Sequence, residues 1–253
     1  MTQGKIIFIT GCSSGIGYST ALYLKLRGHR VICSARKQQD VERLRGEGYE
    51  CLQLDLADSQ SIRVAVGELL ALTDGKLDAV FHNGAFGQPG AVEDLSRDVL
   101  RNQFETNFFG VHELTNLLLP VMRRQGHGRI IYNSSVLGFV AMKFRGAYNA
   151  SKFALEGLVD TLRLELRGSG VKVVTLCPGY IRTPMTDINP YPMPFMLEPD
   201  EAARRMARVI ARGSSFAVVP WQMAIAGRAL KLLPNWLYDA LFARAPHKPR
   251  QKD

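Results

Sequence analysis

Lys5-Ile6-Ile7-Phe8-Ile9-Thr10-Gly11-Cys12-Ser13-Ser14-Gly15-Ile16-Gly17 carries an apolar run straight into a glycine-rich turn. The run, Lys5 to Thr10, is short and rich in β-branched and aromatic residues, so it reads as a buried strand, and from Gly17 to Arg27 the pattern takes a helical period. Three glycines let the backbone turn sharply and approach a ligand, while the free N–H groups and dipole of the following helix attract a pyrophosphate. Gly11, Ser13, Ser14, Gly15, Ile16 and Gly17 are therefore candidate phosphate contacts. The same residues also satisfy G-x-S-x-G, which presents a nucleophilic serine in α/β-hydrolases. That arrangement needs a late histidine and an oxyanion donor from an earlier strand. Past His127 the chain offers only His247 in its basic tail, and nine residues precede Thr10, so phosphate binding is the better reading.

Working outward, short Val/Ile/Phe runs alternate with longer helical segments, the pattern of a parallel sheet with crossover helices. Strands are predicted at Lys5–Thr10, Arg30–Ala35, Cys51–Leu54, Asp78–His82, Arg129–Asn133, Val171–Leu176 and Phe216–Val219. Helices are predicted at Gly17–Arg27, Lys37–Gly46, Ser59–Leu72, Arg97–Arg124, Ala147–Arg167 and Asp200–Ala211. This gives an α/β fold, one doubly wound parallel sheet of seven strands in a single domain over residues 1–253. Pro184 to Pro199 holds five of the chain's 12 prolines among Met185, Ile188, Tyr191, Met193, Phe195, Met196 and Leu197. Proline at that density predicts a long apolar loop, a substrate lid at about 184–199.

The 253 residues, 46% apolar and 22% charged, are enough for a substantial core, and they exclude a disordered chain. No apolar run reaches the roughly 18 to 20 residues that span a bilayer. The opening MTQGKIIFIT reads as a strand rather than a signal peptide, and Cys12, Cys33, Cys51 and Cys177 lack any C-x-x-C spacing, so a cytoplasmic, reducing location is expected. Neither the cysteines nor the histidines (His29, His82, His112, His127, His247) are spaced as metal ligands. Net charge is +9, but from Glu201 to Asp253 ten basic residues face three acidic ones. The excess belongs to a C-terminal appendage, which argues against a nucleic-acid partner.

After the second predicted strand the chain reads Ala35-Arg36-Lys37. A site selective for NAD places a carboxylate there for the ribose 2′-hydroxyl, whereas Arg36 suits a 2′-phosphate, so NADP is the expected cofactor. Further on, Tyr148 and Lys152 stand at i and i+4 of a predicted helix, which puts ammonium and phenol on one face. The spacing predicts that the cation lowers the tyrosine pKa and fits it for proton transfer. Ser134-Ser135 end the preceding strand at the carboxyl edge of the sheet, where ligands of open α/β folds bind.

From Lys5 to about Thr183 these features resemble the short-chain dehydrogenase/reductase family and its Rossmann-type fold. The matching residues are the Thr10–Gly17 loop, Asp55, Asn107, Ser135, Tyr148, Lys152, Pro178-Gly179 and Thr183. The resemblance implies hydride transfer between nicotinamide and an alcohol or carbonyl carbon, with Tyr148 exchanging the proton on oxygen. It further implies that Ser135 holds the substrate oxygen, Lys152 binds the nicotinamide ribose and tunes Tyr148, and Asn107 supports a water in the proton relay. Asp55 would contact the adenine; Pro178, Ile181 and Thr183 would lie at the nicotinamide end; and the subunits would form a homodimer or homotetramer on the helices containing Asn107 and Tyr148. Where the family usually has Asn-Asn-Ala-Gly, this chain has His82-Asn83-Gly84-Ala85, so the contact expected of Asn83 is the least typical. His82 reads as a hydrogen-bonded strand residue rather than a base.

Val136, Leu137, Phe139, Val140, Met142 and Phe144 lie between Ser135 and Tyr148, which suits a small hydrophobic alcohol, aldehyde or ketone as substrate. Trp221 to Ala243 mixes apolar and basic residues around Pro234 and leads into the basic tail, so the stretch at about 221–253 either packs over the pocket or makes a peripheral membrane contact. A non-catalytic NADP-binding sensor or scaffold of the same fold is the alternative to an enzyme. The complete set Ser135, Tyr148 and Lys152 favours the enzyme.

Overall fold

The computed structural model describes residues 4–243 except 188 and 190. Seven strands, β1 (Ile6–Ile9), β2 (Arg30–Ala35), β3 (Glu50–Gln53), β4 (Ala79–His82), β5 (Gly128–Asn133), β6 (Val171–Pro178) and β7 (Phe216–Val219), form one parallel sheet in the order β3-β2-β1-β4-β5-β6-β7. The order reverses between β1 and β4, so their carboxyl ends diverge and open a crevice there, the usual ligand position in doubly wound sheets.

Alternating side chains of each strand enter opposite cores. Ile7, Ile9 and Phe81 pack beneath α1 (Gly15–Leu26), α2 (Gln38–Gly46) and α8 (Pro199–Arg212), using Leu24, Val41, Leu44 and Met206. Phe8, Val80 and Tyr132 face α3 (Ser59–Leu72), α5 (Gly110–Gln125) and α6 (Gly146–Glu165) through Ile62, Leu69, Leu114, Leu118 and Leu155. Burial on both faces explains why the strand sequences run apolar without polar alternation.

Three predicted segments differ. The single helix expected over Arg97–Arg124 is α4 (Arg97–Phe104), a π-helical turn at Glu105–Phe109, and α5. Within the turn, buried Asn107 accepts from the Phe86 N–H at 3.1 Å and donates to the Phe86 carbonyl at 2.9 Å, while Gly110 passes so near Leu56 that no side chain fits. Helix period carries no sign of such contacts. In the proline-rich stretch, α7 (Pro184–Asp187) forms despite the expectation of loop throughout, because proline is tolerated in a helix's first turn. The base of this stretch is pinned by an Ile181–Leu197 bridge and an Arg182–Glu198 pair at 2.9 Å. Ile188 lies outside the described residues.

Trp221 to Ala243 is two helices, α9 (Trp221–Leu232) and α10 (Asn235–Ala243), parted at Leu233-Pro234. Gly227 of α9 sits against Phe139, and Tyr238 of α10 donates its hydroxyl to the Ala141 carbonyl at 2.6 Å, so the inner face packs on the domain. The outer face leaves Trp221, Ile225, Leu232 and Trp236 exposed beside Arg228 and Lys231. Arg244, His247, Lys248, Arg250 and Lys252 of the basic tail lie outside the described residues. No helix among the described residues is long and apolar enough to cross a membrane, none of their His, Cys, Asp and Glu side chains groups as a metal site, and the four cysteines are buried and free.

Candidate active site

The turn after β1 is held open by backbone packed too tightly for side chains. Gly11 and Gly15 adopt φ of +70° and +59°, and a Cβ on Gly11 would stand 2.7 Å from the Gly84 Cα. A Cβ on Gly17 would collide with the Gly11 carbonyl oxygen. Thr10 Oγ1 accepts from the N–H groups of Asn83 and Gly84, each at 2.9 Å. The Asn83 carboxamide donates to the Thr10 and Gly11 carbonyls at 3.0 Å and accepts from Asn133 at 3.0 Å. Asn83 is thus a brace for the glycine turn, and the missing side chain of Gly11 is what lets its backbone approach Gly84. Helix α1 has no side-chain cap on its first turn, so its orphan N–H groups face the crevice.

Across the crevice, β5 delivers Ser135, which caps the short 3₁₀ turn Val136–Gly138 by accepting from the Leu137 N–H at 3.1 Å. Tyr148 and Lys152 occupy the first two turns of α6. The Lys152 ammonium donates to the Asn133 carbonyl at 2.8 Å and lies 5.7 Å from the centre of the Tyr148 ring. Gly87 packs under that ring, where a Cβ would approach its Cδ2 to 2.9 Å, and the Gly87 segment is stitched to the π-helical region by Gln103 and Asn107.

Electrostatics here depart from the expectation drawn from spacing. Burial raises the Tyr148 phenol above its ordinary value, with the Ser135 hydroxyl and the Arg145 charge acting in the opposite direction. Burial also pulls the Lys152 ammonium down to about 8. Desolvation dominates at both groups, and the ammonium is directed at a carbonyl rather than at the phenol. His82 is lowered to about 3 by burial, bonded to Thr115 at 3.1 Å and stacked on Tyr132, so it is neutral and structural.

Twelve predicted residues line one cleft of about 260 Å³: Gly11, Ser13, Ser14, Gly15, Ile16, Asn83, Ser135, Tyr148, Lys152, Pro178, Ile181 and Thr183. Four do not. Gly17 is structural; Arg36 is exposed at the end of β2; Asp55 turns its carboxylate to the Ala57 N–H at 2.9 Å; and Asn107 is buried behind Phe86. Beyond Ser135 and Tyr148 the cleft opens into an apolar cavity of about 370 Å³. Val136, Leu137, Val140 and Met142 line it as expected, but Phe139 packs on Gly227 instead, and Phe144 is not on the wall. Met223, Leu230 and Phe242 of α9 and α10 also line it, so the Trp221–Ala243 stretch packs over the pocket as the first of its two expected placements has it, whereas sequence reading missed Arg145 and Tyr180.

Residues 5–190 match the family described as short chain dehydrogenase. The chain belongs to that family. It is 48% identical over 183 residues to the protein named "Uncharacterized oxidoreductase YbbO" of Escherichia coli (strain K12), covering 72% of this chain and 68% of that one. It is 37% identical over 186 residues to a 3-ketodihydrosphingosine reductase of Bacteroides thetaiotaomicron, covering 73% and 67%. Among solved structures, a short chain dehydrogenase of Burkholderia cenocepacia J2315 in complex with NADP shares the fold at TM-score 0.84 and 21% identity, over 97% of this chain and 100% of that one. A 3-ketoacyl-(acyl-carrier-protein) reductase of Brucella melitensis complexed with NADH gives 0.78 at 25% identity, over 87% and 98%. As a short chain dehydrogenase, the protein is an oxidoreductase whose fold neighbours hold nicotinamide dinucleotides.

Two outcomes follow from the short chain dehydrogenase cleft. Gly17→Ala weakens dinucleotide binding by at least about tenfold in fluorescence titration while the far-UV circular dichroism stays native, since the added methyl meets the Gly11 carbonyl in the cradle. For Lys152, the unfolded chain keeps a proton between pH 8 and 10.5 that the folded chain has released, so this group adds stability as pH rises through that window. Wild-type protein accordingly gains on the order of 1 kcal/mol over Lys152→Met for each unit of pH gained in that window, read by urea unfolding at each pH.

Proposed function

We propose that the protein is an NADP-dependent oxidoreductase that transfers a hydride between the nicotinamide and the carbon of a hydrophobic alcohol, aldehyde or ketone. The observation that carries this reading is the continuity of the two spaces: a glycine-lined anion cradle and an apolar cavity meet at Ser135 and Tyr148. The cradle fits a dinucleotide, since glycines stand where any Cβ would clash and the α1 N–H groups are uncapped. When bound, the cofactor supplies the hydride.

The chain's own residues do the rest. Ser135 donates to the substrate oxygen, Tyr148 gives it a proton in reduction and takes one in oxidation, and Lys152 holds its end of the cleft through the Asn133 carbonyl. Burial keeps Tyr148 protonated, the form that reduction consumes. Asn107 acts at one remove, fixing the Phe86-Gly87 backbone against which the tyrosine ring rests. For the cofactor, β2 ends in buried Ala35 with no carboxylate, and Arg36 beside it is exposed and makes no ion pair among the described residues, which supports NADP over NAD. The relative named for reducing 3-ketodihydrosphingosine supports a ketone of apolar character.

NADPH oxidation against a panel of carbonyls of graded chain length tests the assignment. Tyr148→Phe lowers turnover roughly 100- to 10,000-fold with cofactor affinity kept; undiminished turnover in that variant removes the mechanism. Arg36→Ala weakens NADPH binding about 10- to 100-fold and NADH binding far less, and equal losses for the two would sink the NADP preference.

A further inference from the structure

Among the described residues, a single charge interrupts the wall of the cavity beyond Tyr148. Among the described residues Arg145 is the one ionisable side chain on it apart from tyrosines, and Leu137, Val140, Met142, Met223, Leu230 and Phe242 are among the apolar residues that share the wall. The guanidinium is half-buried and forms no ion pair with any described residue. Its backbone is fixed on three counts. It bridges to Gly90, its carbonyl accepts from the Asn149 N–H at 2.8 Å, and Phe144 before it holds a left-handed φ of +56°. A non-glycine residue in that region costs about 1 kcal/mol or more, so the surrounding contacts impose the conformation that aims residue 145.

Position separates Arg145 from the dinucleotide. It lines the apolar cavity and not the glycine cleft, and its charge is felt by Tyr148 on one side and Tyr180 on the other. A partly desolvated cation facing an apolar space lacks a counter-ion, and an anionic group on the ligand supplies one. The planar guanidinium matches a carboxylate through two parallel hydrogen bonds.

We propose that the substrate is an apolar oxo acid, with its carboxylate on Arg145, its reacting carbonyl at Ser135 and Tyr148, and its chain along the α9–α10 wall. This rests on the oxidoreductase reading above and narrows its substrate class. The chemistry is balanced as before: hydride goes to the carbonyl carbon, the Tyr148 proton goes to its oxygen, and the carboxylate is unchanged.

The test uses the full chain with NADPH and two substrates of matched length, 2-oxododecanoate and 2-dodecanone. The oxo acid is preferred by about tenfold or more in kcat/KM, chiefly through KM, as a charge-assisted pair predicts. Arg145→Gln collapses that ratio to within about threefold, and Arg145→Lys keeps part of it. Equal efficiency on both compounds in the wild type, or a preference that survives Arg145→Gln, overturns the proposal. A second readout needs no turnover. Dodecanoate binds the NADP-saturated wild type at least about tenfold more tightly than Arg145→Gln by calorimetry, and equal binding also overturns it. Absence of turnover with every carbonyl and either nicotinamide would instead remove the oxidoreductase reading, and the dodecanoate titration would still judge Arg145.

Discussion

Asn133 ties together the two halves of the site. Its side chain donates to Asn83, which braces the glycine turn, and its main-chain carbonyl accepts a hydrogen bond from the Lys152 ammonium. Glycine turn and Lys152 are thus tied to one residue at the end of β5, beside the point where β1 and β4 diverge. Buried hydrogen bonds of this kind cost more when unmade than they contribute when made, so each group constrains its neighbours to a single arrangement. The tight backbone approach of Gly11 to Gly84 follows from the same lattice, because Thr10 Oγ1 gathers two N–H groups from the β4 turn.

That rigidity sets the electrostatic state of the site. An ammonium four residues from a phenol on a helix favours the phenolate and lowers the phenol's pKa when it is directed at the phenol. Here burial pushes the two in opposite directions, each towards its uncharged form, and the ammonium is aimed at a carbonyl. Burial thereby favours the protonated phenol, while the Ser135 hydroxyl and the Arg145 charge act on it in the opposite direction.

The sheet was legible because its strands obey simple rules. β2, β7 and α3 begin and end where apolar runs, glycines and caps place them, and Asp58 caps α3 by accepting from the Gln60 N–H at 2.9 Å. Twelve of the sixteen distinct predicted site residues line the cleft because motif spacing reports on strand ends, which the parallel sheet gathers at one edge. The misses have a common cause. The π-helical turn depends on Asn107 meeting Phe86 and on Gly110 meeting Leu56, and Asn133 acts through its main chain. Such contacts join residues far apart in sequence and leave no periodicity. Arg145 was passed over for a related reason: among Lys143, Phe144 and Gly146 it reads as an ordinary polar helix start, and only the burial around it shows a charge facing an apolar space.

The division between sheet and cavity has a physical consequence for specificity. The glycine turn, Ser135, Tyr148 and Lys152 stand at strand ends or on α1 and α6, elements whose other residues build the two large cores. The cavity wall beyond Ser135, Tyr148 and the Pro178–Tyr180 end of β6 comes instead from segments outside the sheet: Val136 to Arg145, described residues between Met185 and Phe195, and α9–α10 residues from Met223 to Phe242. Few polar ties join them. Tyr238 spans to Ala141 by accepting from its N–H at 3.0 Å and donating to its carbonyl, Lys143 reaches the Ala243 carbonyl at 2.9 Å, and the proline-rich stretch is pinned at its base by Ile181, Leu197 and the Arg182–Glu198 pair. Segments held by a handful of partly exposed bonds open at lower free energy than core strands, so the cavity can adjust to a ligand without disturbing Tyr148.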